Sequence, residues 1–192
     1  MSGDSQGPAQ PSAAPKGIVR LLKGWHWLEC TVAVVAYVFI MLLLMSDVIG
    51  REVVGPVLRL AGIDAGATGV YGSQKMALYA MVVGAFLGLG VATATGTHLL
   101  PRVGFGWLPK AWGPHVDRLA DVLTGILLCV TAWYGWVFVK SSQEVGLTVA
   151  VLEWPAWMIQ AVIPVGILSA ALRYFIFAAW PACRPTPPEF QE

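Results

Sequence analysis

Residues 32–45 read VAVVAYVFIMLLLM, an apolar run without a single charged side chain. Nothing in it alternates, so it reads neither as a half-buried strand nor as a barrel strand. Extended to residues 28–46, it approaches the roughly 20 residues a helix needs to cross the hydrocarbon core of a bilayer. Glu29 stands at its start and Asp47 just past its end. Lipid offers no hydrogen-bond partners, so such a segment must satisfy its own backbone as an α-helix. It is too long for the apolar core of a signal peptide. No small-residue cleavage site follows it, and Asp47, Arg51 and Glu52 come instead. It is read as a span that stays in the membrane.

Three further stretches meet the same test. Residues 76–95 contain no charge, residues 122–139 lie between Asp121 and Lys140, and residues 156–180 carry only Arg173, in their last third. The whole chain agrees. It has 192 residues, 57% hydrophobic and only 12% charged, with 9 Trp and 21 Gly. Soluble domains carry about 25% charged residues because they must cover a surface with them. A soluble single-domain enzyme is excluded, and a net charge of +1 provides no basic field for nucleic acid. The fold class is an all-α integral membrane protein with four transmembrane helices. Lys16, Arg20, Lys23, Arg102, Lys110, Arg118, Arg173 and Arg184 fall on one side, against Arg51, Arg59, Lys75 and Lys140 on the other. Basic residues favour the cytoplasmic side, which places the N- and C-termini there.

Residues 1–15 are mostly Ser, Pro, Ala, Gly and Gln, too poor in apolar side chains to bury a core, and are expected as a disordered tail. Residues 16–27 mix basic and apolar residues and are expected as a short interfacial helix before the membrane domain of residues 28–180. The Pro-rich residues 181–192 are expected as a second unstructured tail. The connection 47–75 includes Gly-Ile-Asp-Ala-Gly-Ala-Thr-Gly at 62–69 and reads as flexible loop. The connection 96–120 carries Trp107 and Trp112 and suits a segment at the lipid headgroups. Trp25, Trp27, Trp136, Trp154, Trp157 and Trp180 sit near span ends, where an aromatic belt is expected.

Chemistry is scarce. Cys30, Cys129 and Cys183 are isolated, and His26, His98 and His115 all lie outside the spans, where they cannot serve as axial haem ligands. No catalytic, metal or cofactor residue is assigned. Glu29 lies too close to the inner end of its span to act as a carrier's central acid. Arg173 has two options: its head extends to the cytoplasmic interface, or it pairs inside the bundle. The first is the expectation. A packing pattern stands out instead, because Ala80, Gly84, Gly88, Ala92 and Gly96 recur every four residues along the second span. Small residues at this spacing let another backbone approach closely. The approaching helix is either one of this chain's own or that of a second subunit, with Ala80, Gly84, Gly88 and Ala92 as the interface candidates.

Several patterns carry a resemblance when taken in order. The first span exits through Asp47-Val48-Ile49-Gly50-Arg51 and Val53-Val54-Gly55. The second contains Gly84-Ala85-Phe86-Leu87-Gly88 and ends at Gly96-Thr97-His98-Leu99. The fourth begins Trp154-Pro155-Ala156-Trp157 and continues through Ile163-Pro164-Val165-Gly166 to Arg173. Together they resemble the small membrane subunit of tripartite ATP-independent periplasmic (TRAP) transporters, the Q or DctQ type. The family commonly has acidic residues just before the second helix, where this chain has Ser73-Gln74-Lys75.

The resemblance implies a sodium-coupled secondary uptake system in a bacterial inner membrane. It implies two partners: a large multi-span M subunit carrying the sodium and substrate sites, and a periplasmic binding protein that delivers an organic acid. The small subunit, in contact with membrane lipids, would brace the large subunit's scaffold. Asp47, His98, Pro164 and Arg173 carry the resemblance without an assigned role. Arg51, Arg59 and Asp64 are candidates for docking the binding protein, against the plainer reading of solvated loop charges. Two other classes remain open on the residues alone: a stand-alone four-span carrier, and a membrane anchor or assembly factor unrelated to transport.

Overall fold

The computed structural model describes residues 15–64, 66–96, 112–149 and 153–185. Four helices are long and apolar enough to cross a membrane: α1 (Lys16–Leu60), α2 (Ser73–Thr95), α3 (Gly113–Glu144) and α4 (Ala156–Ala179). No strand occurs among the described residues, apart from a single antiparallel bridge between Thr148 and Pro155 in the α3–α4 connection.

The first helix departs most from expectation. Its 45 residues form one continuous element, about 68 Å long at 1.5 Å per residue. The segment 16–27 is therefore not a separate interfacial helix but the first turns of α1. The stretch from Asp47 to Leu60, expected as loop, is its continuation. Pro15 precedes the first turn. Pro56 stands just after a π-helical turn at Gly50–Val54, which carries the chain past the hydrogen bond Pro56 cannot make. Only from Ala61 does the chain leave the helix, and it then folds back along it. Thr68 lies on Gly55, where a side chain's Cβ would sit 2.8 Å from the threonine hydroxyl.

The remaining ends follow local chemistry. Gly96 adopts φ 69° and closes α2 by donating its N–H to the Ala92 carbonyl, a left-handed cap that suits glycine. Gly113-Pro114 opens α3. In α4 the helix is interrupted at Ala161, between Ala156–Gln160 and Val162–Ala179. Pro164 explains the break: it lacks the N–H that would reach Gln160, and its ring crowds that residue's carbonyl.

The helices form an open row rather than a closed bundle. α1 packs along α2, α2 against α4, and α4 along α3, so α1 and α3 are the outer members. Two antiparallel hairpins thus join through α2 and α4, which run in the same direction. Burial follows this order, since half of the most apolar window of α4 is buried but only 11% of that of α1. A glycine seats the contact at each junction. Gly84 meets the Tyr37 ring, Gly166 meets the backbone of Phe86, and Gly125 meets the Phe175 ring.

The chain after α4 is pinned. Pro181–Cys183 make a short 3-10 turn, and Arg184 donates to Asp117 Oδ2 at 2.9 Å, to the Asp117 carbonyl at 3.2 Å and to the Asp121 carboxylate. Burial alone would lower the Arg184 pKa, but its bonds to Asp121 and Asp117 outweigh that and hold it above its ordinary value. Residues 181–185, expected as part of a tail, are fixed to α3 by this clamp. Residues 1–14 and 186–192 lie outside the described residues.

Candidate functional site

A polar cluster is buried where α1, α2 and α4 meet, near the end that carries both termini. It is built from two pairs spaced four residues apart, which place side chains on one helix face. α1 supplies Trp25 and Glu29, and α4 supplies Ser169 and Arg173. The Arg173 guanidinium donates to Glu29 Oε2, and the Ser169 hydroxyl donates to Glu29 Oε1. The Trp25 indole N–H is shared between Glu29 Oε1 at 2.9 Å and Ser169 Oγ at 2.8 Å. Glu29 and Arg173 are 4% and 3% exposed, so the charges meet without water between them. α2 contributes the floor, because any side chain at Gly90 would place its Cβ 2.8 Å from Glu29 Cδ.

Two expectations are corrected here. Arg173 does not extend to the interface; a carboxylate on a neighbouring helix at the same depth satisfies it inside. Trp25, read as an interfacial anchor, is a donor to that carboxylate. Sequence reasoning set Glu29 aside and missed Ser169. The signal was present, since in a four-span chain Glu29 near the start of the first span and Arg173 near the end of the fourth fall at similar depth.

At the opposite end, Asp47 is buried and its Oδ1 accepts the Val70 N–H at 2.9 Å. It does not cap α1, which runs on past it, but ties the returning connection to the helix. Gly69 fits beneath it, because a Cβ there would collide with the same carboxylate oxygen. Arg51 lies 3.8 Å from Asp47 and 3.5 Å from Glu52 and remains largely exposed. Asp47, Arg51 and Lys75 line a pocket of about 280 Å³ together with Tyr71 and Ser73. Arg59 and Asp64 are exposed and lie outside it.

The small-residue ladder divides. Gly84 is buried against Tyr37 of α1, with a Cβ position 3.0 Å from the ring. Gly88 faces open space, with nothing within 4 Å of a Cβ placed there. Ala80 and Ala92 are partly buried. Pro164 acts on the course of α4 and packs near Gly135 of α3, whose Cβ position lies 3.5 Å from it. His98 lies outside the described residues. Among the described residues no group of three or more His, Cys, Asp or Glu is placed to hold a metal ion.

Comparison with known proteins identifies a family. The family described as "Tripartite ATP-independent periplasmic transporters, DctQ component" matches residues 40–180. No curated protein and no solved structure matches. The match includes Asp47, the α2 ladder, Pro164, Ser169 and Arg173, and begins after Trp25 and Glu29.

Proposed function

The chain belongs to the DctQ component family and is thus a small subunit of a tripartite ATP-independent periplasmic transporter; from this premise we propose that it braces the scaffold of a large transport subunit. The system is a sodium-coupled importer of an organic acid or similar anion in a bacterial inner membrane, with both termini of this chain cytoplasmic. The large subunit carries the ion and substrate sites. A periplasmic binding protein docks partly on the end that carries Arg51, Arg59 and Asp64.

One observation supports the bracing role most directly. Among the described residues the spans carry no acidic or basic side chain at mid-membrane: the charges that enter the helix row, Glu29 and Arg173, are neutralised by each other near one end. An open row of apolar helices has broad faces to give to a partner and nothing with which to bind an ion or an acid itself.

The test is a mild-detergent pull-down of the tagged chain from its native membrane, with mass spectrometry of what is retained. A single large multi-span protein at equal stoichiometry is expected. A chain that comes down alone and moves a solute in liposomes overturns the reading.

A further inference from the structure

A groove of about 380 Å³ lies between the first turns of α1, the end of α4 and the segment that follows it. α1 enters the row from this end and α4 leaves toward it, so residue order along each helix sets the order of chemistry in the groove. Val19 and Leu22 precede Lys23 and His26 on α1, and Phe177 follows Arg173 on α4. Basic side chains therefore occupy the inner part, and an apolar wall forms the outer part. No carboxylate lines the groove among the described residues. Arg173 is committed to Glu29, whereas Lys23 is exposed and makes no ion pair among the described residues. The described chain runs to Pro185, which itself lines the groove.

We propose that this groove is the docking site of the chain's own residues 186–192, Thr-Pro-Pro-Glu-Phe-Gln-Glu. The Glu189 carboxylate pairs with Lys23 in the inner part, beside His26, and the Phe190 ring covers Val19, Leu22 and Phe177 in the outer part. Reach and charge select this occupant. Glu189 follows Pro185 by four residues, about 13 Å of extended chain, and Pro185 and Lys23 line the same groove. Pro187 and Pro188 restrict the backbone, which lowers the entropy lost on docking. The ring supplies most of the binding, because an exposed ion pair contributes little. Of the other segments outside the described residues near this end, 97–111 contains no acidic residue, and 1–14 contains only Asp4 and no aromatic ring. The order of chemistry also excludes a phospholipid, whose acyl chain would have to lie farther from the bilayer than its headgroup. The proposal does not depend on the identity of the transport partner.

The test uses the full chain in mild detergent and combines hydrogen exchange with carbodiimide coupling, which joins a lysine amine to a carboxylate in direct contact. The wild-type chain is expected to yield a Lys23–Glu189 link, identified by peptide mass spectrometry. In a mixture of isotope-labelled and unlabelled chains, the link is expected only between peptides of the same labelling. Glu189→Gln combined with Phe190→Ala is expected to speed amide exchange at residues 19–26 of α1 about tenfold, as a docked ring is lost. Exchange in α2 and α3 is expected to stay the same, which also establishes that the variant is folded. Unchanged exchange at residues 19–26 overturns the proposal, whatever the coupling shows. Links between differently labelled chains overturn it in favour of a second copy in the groove. A Glu189 link to another lysine, or no Lys23–Glu189 link at all, leaves the groove to a different partner and overturns it as well.

Discussion

The Glu29–Arg173 pair sets up the clearest test for a single residue. Removing one member of a buried ion pair leaves the other charge unpaired in an apolar environment, which costs about 3–5 kcal/mol. Arg173→Met is therefore expected to lower the stability of the purified chain by that amount in thermal or denaturant unfolding. Glu29→Gln combined with Arg173→Met removes both charges and is expected to recover most of the loss, because the desolvation penalty goes with them. A double variant no better than Arg173→Met alone would show that the pair does not act as a unit. Arg173 was legible in the sequence as a charge requiring an explanation, and the similar depth of Glu29 marked a candidate partner without showing that the two helices meet. An extended arginine and a paired one share the same local sequence, and only the packing of α1 beside α2 and α4 brings Glu29 within reach. Asp47 shows the same limit. Its position past an apolar run marks the end of a span, yet its bond to Val70 depends on a connection that turns back at Ala61. Asp47→Ala removes the acceptor of the Val70 N–H, and a hydrogen bond to a charged group contributes about 1.5–3 kcal/mol. Faster hydrogen exchange at Val70 and its neighbours, with the spans unaffected, is the expected sign.

Among the helices, α1 and α2 show what a hydropathy profile conveys. The apolar windows located all four membrane crossings, because the bilayer imposes a length and a composition that any spanning helix must meet. They did not reveal that α1 continues well beyond its window at both ends. Helix propensity outside lipid is weak, and Gly50, Gly55 and Pro56 read as breakers. They are tolerated because the π turn absorbs Pro56 and the two glycines receive Thr68. The α2 ladder was also legible as a surface for close approach, but its periodicity cannot say which backbone approaches. The structure separates two of its members, and this makes the ladder testable. Gly84→Leu drives a side chain into the Tyr37 ring and is expected to destabilise the chain itself by about 1–3 kcal/mol, as overpacking does. Gly88→Leu meets open space and is expected to leave the isolated chain as stable as before. If the ladder serves the large subunit, Gly88→Leu reduces co-purification while Gly84→Leu reduces yield. An undiminished complex with Gly88→Leu would place the partner elsewhere on the row.

For the molecule as a whole, the row order α1–α2–α4–α3 leaves α1 and α3 with their outer sides uncovered and gives α4 neighbours on both sides. A closed bundle would have used those faces internally; the row leaves them to lipid or to a partner, as the proposed bracing role requires. Its two ends differ in chemistry. The end with the termini has Lys16, Arg20 and Lys23 along α1 and the Arg184 clamp on α3. The opposite end has the returning connection, latched by Asp47 and bordered by Arg51 and Arg59. Under the proposed docking role, a binding protein would meet that end as a fairly rigid ledge, since the α1 helix continues beneath it to Leu60. Exposed charges on a rigid ledge act mainly through the rate of encounter, because rim charges steer association without making large contributions to the stability of the chain that bears them. Arg51→Glu with Arg59→Glu is therefore expected to slow binding-protein-dependent uptake, with the defect shrinking as salt is raised, while assembly with the large subunit is unchanged. The salt dependence is the decisive part. Steering is screened over about 10 Å at 0.1 M ionic strength, whereas damage to the Asp47 latch by the same substitutions would persist at any salt. Uptake in membrane vesicles at low and high potassium chloride, with sodium held constant, separates the two, and a defect insensitive to salt would remove these arginines from the docking surface.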